Sequence, residues 1–173
     1  LAIRRRALGE NHIDVAQGLF YVAQLHWQQG RLAEAEETEL QALAIARRVL
    51  EPAHPRLSYF LNDLGKIHLA RGRPEEAETL LRESLAIRRK ALPSGHYEIA
   101  WSESELALCL ATRKRFAEAE TLQTGAYEAL TVQLPATDPR VVTVRGRLAR
   151  LYRAWGKPAA AARWEATETV PAP

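Results

Sequence analysis

The chain has 173 residues, of which 47% are hydrophobic and 26% charged, so it is long enough for one domain with a substantial core. Nine glycines and nine prolines are too few for a collagen-like or disordered chain, and a formal net charge of +3 is too small to indicate nucleic-acid binding by itself. No apolar run approaches the ~20 residues of a membrane-spanning helix, no signal peptide is visible, and a single cysteine fits a reducing compartment, so we expect a cytoplasmic protein.

A phrase at the start of the chain, LAIRRRALGENH at 1–12, returns as LAIARRVLEPAH at 43–54 and as LAIRRKALPSGH at 85–96. The offset is 42 residues each time, and the register continues without an insertion into a fourth copy. A constant period of this length indicates a helical repeat array, in which each copy buries its apolar face against the next. Because the chain begins at Leu1, inside a copy, we expect it to be a fragment of a longer protein.

Each copy predicts two helices joined by a turn. In the second copy, Leu57, Leu61 and Leu64 recur at three- and four-residue steps, which is typical of an amphipathic helix. The glycines of QQGRL, ARGRP and AWGKP then supply the left-handed conformation that ends a helix, and a second helix with a long apolar stripe follows. No segment alternates polar and apolar residues as a strand does, so the predicted fold class is all-α.

The register also predicts where the elements begin and end. We expect a single solenoid over residues 1–168, in which the first helix of each pair lines the concave side. Its predicted elements are a partial helix at 1–9 and helix pairs at 13–50, 55–92, 97–134 and 139–168, followed by a loose tail at 169–173.

Small residues recur in the middle of the predicted first helices, each followed three positions later by a large residue. The pairs are Ala23 and His26, Gly65 and His68, Ala107 and Leu110, and Ala149 and Tyr152. Together with the glycine turn and the alanine of AEAE in the second helix, they resemble tetratricopeptide repeats, and the 42-residue period resembles the kinesin-light-chain variety that is also found in bacterial signalling proteins. A HEAT-type repeat has a similar period, but the turn and the small-residue positions favour the tetratricopeptide repeat. The third copy departs from the pattern, because Lys114 replaces the turn glycine.

The resemblance implies a right-handed superhelical solenoid of antiparallel helix pairs that binds a protein or peptide along its concave face and has no catalytic site. The concave positions hold aromatic, amide and charged side chains, which are typical of protein-binding surfaces. By the register, they are Gln17, Phe20, Tyr21, Gln24, Trp27, Tyr59, Asn62, Asp63, Lys66, Trp101, Ser104, Glu105, Leu108, Thr143, Arg147 and Arg150.

Three histidines at equivalent positions, His12, His54 and His96, raise the question of a metal site. We expect equivalent residues of neighbouring copies to lie roughly 16–20 Å apart, two interhelix spacings, whereas zinc ligands converge within about 2 Å of one ion. Asp138 fills the fourth position, so the sequence favours helix N-caps. We predict that His26 and His68 pack between helices.

The remaining reactive groups also favour structural roles. Cys109 shares its register position with Leu25, Ile67 and Leu151, which predicts a buried, inert thiol. The carboxylates Glu98, Glu103 and Glu105 are expected on a solvated face. No phosphate-binding loop or catalytic triad is present, so we predict no enzyme, cofactor or metal in this chain.

The fourth copy is basic, with seven lysines and arginines and no acidic residue between Pro139 and Trp164. A helical wheel places Arg147, Arg150 and Arg153 on an outer arc. We hypothesise that this end of the groove receives an acidic segment or a carboxylate. The alternative is a solvated, arginine-rich face.

Other functions remain open on the sequence. The ending LYRAWGKPAAAARW resembles the C-terminal repeat of bacterial serine/threonine kinases that carry such arrays, so the alternative function is a regulatory or sensing segment of a larger bacterial signalling enzyme. RNA binding, as in other helical repeats, is disfavoured by the mixed charge of the first three copies. Self-association through the truncated N-terminal end would use Leu1, Ile3 and Leu8.

Overall fold

The first helices of the first, third and fourth copies begin at the side-chain cap that the register predicts. A computed structural model describes residues 6–165 of the chain. In it, the ring Nδ1 atoms of His12, His54 and His96 and the carboxylate of Asp138 accept a hydrogen bond from the backbone N–H two residues further on, at 3.1, 3.1, 3.2 and 2.9 Å. The capping prediction is confirmed for His12, His96 and Asp138, whereas the first helix of the second copy begins only at Leu57, after the turn that His54 stabilises, and has no side-chain cap. Within the described range, no group of three or more His, Cys, Asp or Glu side chains could hold a metal ion.

The chain divides into two compact units, Leu1–Ala91 and Leu92–Pro173. The described helices of the first unit are α1 (Ile13–Gln28), α2 (Leu32–Val49), α3 (Leu57–Ala70) and α4 (Pro74–Ala91). Those of the second unit are α5 (Tyr97–Thr112), α6 (Phe116–Gln133), α7 (Pro139–Ala154) and α8 (Pro158–Glu165). Residues 6–8 are helical too, whereas the first five positions of the predicted partial helix and the predicted tail lie outside the described residues. Every regular element in residues 6–165 is helical, which confirms the all-α prediction.

Helices pack as antiparallel pairs because three-residue turns join them. In the first unit α1 packs on α2 and α3 on α4, and in the second α5 packs on α6 and α7 on α8. One small residue explains how closely the second pair approaches: a Cβ atom added to Gly65 of α3 would lie 2.8 Å from Cγ of Leu81 on α4. A residue as small as glycine is therefore required at this position of the second copy.

Each unit contains a cluster of buried apolar side chains. In the first unit Phe20 of α1 packs edge-to-face on Phe60 of α3, with 5.5 Å between the ring centres. The second core lies around Leu130 and Val144, both 0% exposed. Cys109 is also 0% exposed, which confirms the prediction of a buried side chain. Within residues 6–165, every helix is too short or too polar to cross a membrane.

A cluster of ion pairs lies beside the turn between α3 and α4. Glu36 of α2 accepts hydrogen bonds from both Arg71 and Arg73, and His68 lies between Glu36 and Glu76 at 3.5 and 3.4 Å. Burial would raise the pKa of Glu36, but the hydrogen bond and charge of Arg73, with Arg71 and His68, outweigh it and lower the pKa. Burial and the Arg73 charge lower the pKa of His68. His68 is 7% exposed, so the prediction that it packs between helices is confirmed.

The turn of the third copy is strained, because Lys114 has φ 59° where the other copies use glycine. Replacing Lys114 with glycine is expected to stabilise the second unit by about 1 kcal/mol, since an L-residue pays roughly 1–2 kcal/mol in the left-handed region. The matched control is Gly156→Ala at the equivalent turn, φ 76°, which is expected to destabilise the unit by a similar amount. Urea denaturation measures both changes, and a Lys114→Gly variant no more stable than the wild type would contradict the expectation.

Candidate functional site

A cleft opens in the first unit between α1 and α3, with α2 behind it. Its volume is about 290 Å³. The residues that line this first cleft are Ala23, Gln24, Trp27, Gln28, Glu39, Asp63, Lys66 and Ile67.

The polar side chains of α1 and α3 meet across the first cleft. The Asp63 carboxylate accepts hydrogen bonds from Nε2 of Gln24 at 3.0 Å and from Nζ of Lys66 at 3.3 Å. The Lys66 ammonium also lies 5.8 Å from the centre of the Trp27 ring, within cation–π range. The cleft therefore already stabilises one ammonium group, supplied by the chain itself.

Glu39 of α2 lies at the floor of the first cleft. Its side chain is 0% exposed, and neither carboxylate oxygen has a hydrogen-bond partner among the described residues. Burial first, and then the negative charge of Asp63, raise the pKa of Glu39 to about 9, against a smaller opposing effect of Lys66. Glu39 is therefore mostly protonated near neutral pH.

The second unit has a cleft of about 380 Å³ between α5 and α7. Its walls are largely aliphatic, with arginine and threonine side chains beside them. The residues that line this second cleft are Ala107, Leu108, Ala111, Thr112, Gln123, Thr143, Arg147, Arg150, Leu151 and Ala154.

A buried polar network holds Arg147 of α7 in place. Its guanidinium donates to Oγ of Ser104 at 2.8 Å and to Oε1 of Glu105 at 2.9 Å, and its Cζ lies 5.1 Å from the centre of the Trp101 ring. The side chains of Arg147 and Glu105 are only 12% and 3% exposed. Gln123 of α6 completes the network by donating to Oγ of Ser104 at 2.9 Å.

This network corrects three predictions. Glu105 is 2% exposed, so the expectation of a solvated carboxylate is wrong for it. The expected spacing of roughly 16–20 Å between equivalent positions is wrong for α5 and α7, because these helices contact each other and Glu105 and Arg147 occupy the same register position. The predicted outer position of Arg147 is likewise corrected, since its guanidinium points to α5.

The two clefts are built from the same positions of the repeat. Adding two periods to the lining residues of the first cleft gives Ala107, Leu108, Ala111, Thr112, Gln123, Arg147, Arg150 and Leu151, all of which line the second cleft. The scaffold positions keep their character, since Ala23 corresponds to Ala107 and Ile67 to Leu151. One charged position changes sign, because Asp63 of the first cleft corresponds to Arg147 of the second, whereas Lys66 corresponds to Arg150 and stays basic.

The structure sorts the predicted groove residues into three groups. Those that line a cleft are Gln24, Trp27, Asp63, Lys66, Leu108, Thr143, Arg147 and Arg150. Those that are exposed or half-buried and line neither cleft are Gln17, Tyr21, Tyr59 and Trp101. Those that are buried are Phe20, Asn62, Ser104 and Glu105, so a ligand cannot contact them in this conformation.

Sequence reasoning missed Glu39 and Gln123, because both lie on second helices and only first helices were expected to line the groove. A signal was present in the register. The second copy has Leu81 at this position, 1% exposed, so a carboxylate or an amide interrupts an otherwise apolar stripe.

The basic side chains of the fourth copy differ in what they contact. Arg140 pairs with Asp138 and Arg153 with Glu165, at 2.9 and 2.7 Å. Arg150 is exposed beside the second cleft, and no acidic side chain of residues 6–165 forms an ion pair with it. It is therefore the arginine best placed to meet a ligand there.

Comparisons with known proteins agree with the repeated helix pairs. The sequence model of the tetratricopeptide repeat matches residues 1–48, 22–90 and 98–166. A crystal structure of nearly identical TPR-like repeats from a putative kinesin light chain of Podosopora anserina is 26% identical to this chain. The match covers 96% of this chain and 78% of that one, with a TM-score of 0.79. The structure of BtubC (BKLC) from P. vanneervenii is 19% identical, with 99% and 71% coverage and a TM-score of 0.82. A Rap protein complexed with competence and sporulation factor is 21% identical, with 88% and 44% coverage and a TM-score of 0.70. The curated proteins contain no match.

Proposed function

Because this chain belongs to the tetratricopeptide repeat family, in its kinesin-light-chain-like form, we propose that it is an interaction scaffold that binds a peptide or protein partner in its two clefts. The observation that carries the proposal is the repeated cleft, which keeps its aliphatic positions such as Ala23/Ala107 and Ile67/Leu151 and changes other lining side chains. Gln24 and Trp27 of the first cleft correspond to Leu108 and Ala111 of the second, so the two clefts would select different ligand groups. The Rap protein complexed with a factor supports the proposal through its fold.

The second cleft favours an acidic or carboxylate group next to an apolar side chain of the partner. Its aliphatic wall, including Leu108 and Leu151, suits an apolar group, and the exposed Arg150 offers a guanidinium fork to a carboxylate. Arg147 contributes less, since it is already paired with Glu105.

A selection of random twelve-residue peptides displayed on phage tests the proposal. We expect enriched peptides to lose at least about tenfold in affinity, about 1.4 kcal/mol, when a long charged side chain fills a cleft, as in Gln28→Arg or Leu108→Arg. Fluorescence anisotropy of the labelled peptides measures the affinity.

Matched controls alter the charge elsewhere on each unit. Lys90→Glu and Arg163→Glu change exposed residues that line neither cleft, and they are expected to leave the affinities unchanged. If no peptide is enriched, or if the controls weaken binding while the cleft variants do not, the scaffold proposal is overturned.

For the second cleft, selected acidic peptides are expected to bind Arg150→Gln at least about tenfold more weakly than the wild type. Equal affinity would show that the acidic preference is wrong while leaving peptide binding intact.

Self-association remains a separate proposal: of its three residues, Leu8 is 43% exposed, and Leu1 and Ile3 lie outside the described residues.

A further inference from the structure

The most unusual group in the first unit is the Glu39 carboxyl. It occupies a position that the second copy fills with the buried Leu81, yet it has no hydrogen-bond partner among the described residues. A buried polar group without a partner costs roughly 1–3 kcal/mol relative to an apolar residue. Local violations of this kind concentrate at functional sites, where a ligand completes the interactions.

The residues around Glu39 define what such a ligand must offer. Asp63 adds a second acceptor to the first cleft, and Trp27 adds an aromatic face. The internal ammonium of Lys66 already uses both groups, at 3.3 Å from Asp63 and 5.8 Å from the Trp27 ring centre. Both donors, Gln24 and Lys66, are used by Asp63, so Glu39 is left without a partner among the described residues.

We infer that the first cleft takes a basic side chain of the partner peptide, an ammonium or guanidinium group, which donates to Glu39 and Asp63 beside the Trp27 ring. This inference rests on the proposed function and adds the ligand chemistry. A guanidinium carries five N–H donors in one plane and stacks on aromatic rings, so it can serve both carboxylates at once. To reach Glu39, it displaces the half-buried side chains of Gln24 and Lys66 from Asp63.

Binding of a cation in the first cleft is coupled to the release of a proton from Glu39. The charged groups that face Glu39 are Asp63 and Lys66 from α3, whereas α1 lines the cleft with the uncharged Ala23, Gln24, Trp27 and Gln28. Because the pKa of Glu39 is about 9 in the free protein, the carboxyl must lose its proton when a guanidinium pairs with it. Affinity for a guanidinium therefore rises with pH up to about 9, by at most tenfold per unit, as one proton is released per ligand.

The probe is the blocked tripeptide acetyl-Gly-Arg-Gly-amide, titrated into the whole chain and followed by NMR at the Trp27 indole N–H. The control is the same peptide with citrulline in place of arginine, because citrulline has the shape of arginine without the charge. We expect the arginine peptide to bind at least tenfold more tightly, and its affinity to increase with pH. Calorimetry in buffers of different ionisation enthalpy is expected to show proton release.

Variants separate the inference from its alternatives. Glu39→Gln keeps the shape of the side chain but cannot ionise, so it is expected to lose the arginine preference and the pH dependence. Asp63→Asn is expected to weaken binding as well, whereas Glu37→Gln, at an exposed position of α2 that lines neither cleft, is expected to leave it unchanged. Equal binding of the two peptides, or full binding by Glu39→Gln, would overturn the basic-side-chain inference. Phage-selected peptides that occupy the first cleft without a basic residue would overturn it too, while leaving the scaffold proposal in place.

Discussion

Replacing Arg147 with alanine is expected to destabilise the second unit by about 3–5 kcal/mol, which is the cost of leaving a buried carboxylate without its partner. The carboxylate is that of Glu105, whose side chain is 3% exposed and lies 2.9 Å from the guanidinium. The substitution also removes the hydrogen bond to Ser104 and the contact with the Trp101 ring. Urea denaturation followed by circular dichroism measures the loss, and hydrogen exchange of α5 and α7 amides assigns it to this unit.

Two further variants test the explanation for Arg147. Arg150→Ala removes an exposed arginine of the same helix and is expected to change stability by less than about 0.5 kcal/mol. The double variant Glu105→Gln with Arg147→Met leaves no charge buried and is expected to recover most of the lost stability. A double variant as unstable as Arg147→Ala would show that charge burial is not the cause.

The second large effect concerns the pH dependence of folding, which Glu39→Gln is expected to reduce. The pKa of Glu39 rises from 4.5 in the unfolded chain to about 9 in the fold. An acid whose pKa is raised by folding contributes full stability below its unfolded pKa and loses it as the pH rises towards the folded pKa. The wild type therefore loses up to about 1.4 kcal/mol per pH unit through this window relative to the variant.

Urea denaturation of both proteins at several pH values between 4.5 and about 9 measures this difference. Other groups titrate over the same range, but they cancel when the free energies of unfolding are subtracted. Glu37→Gln, an exposed position on the same helix, serves as the control and is expected to track the wild type. Parallel curves for the wild type and Glu39→Gln would mean that Glu39 is ionised in the fold.

The expected loss of stability in Arg147→Ala affects how an acidic partner can be tested. Removing Arg147 and Arg150 together would weaken binding even without a direct contact, because the first change destabilises the cleft itself. Arg150→Gln is the cleaner test, since the side chain is exposed and pairs with no acidic residue in the described range.

Much of the fold was accessible from the sequence. Caps such as His12 and Asp138 accept a hydrogen bond from the backbone N–H two residues further on, so the local sequence specifies them. The small residue at Gly65 also follows from the register, and the structure gives its reason in the close approach of Leu81. The candidate site was accessible only in part, because Glu39 and Gln123 lie on the helices that were expected to face away from the groove.

The sequence by itself determined the period, the helix pairs, the caps and the family, because each depends on residues within a few turns of one another or on a spacing that repeats. The tertiary structure decided which charged groups are paired and which are left without a partner. Arg147 and Glu105 meet across 42 residues of chain, and Glu39 is closed in by side chains of α1 and α3. A helical wheel describes one helix at a time, whereas the energy of a buried charge depends on the helices packed around it.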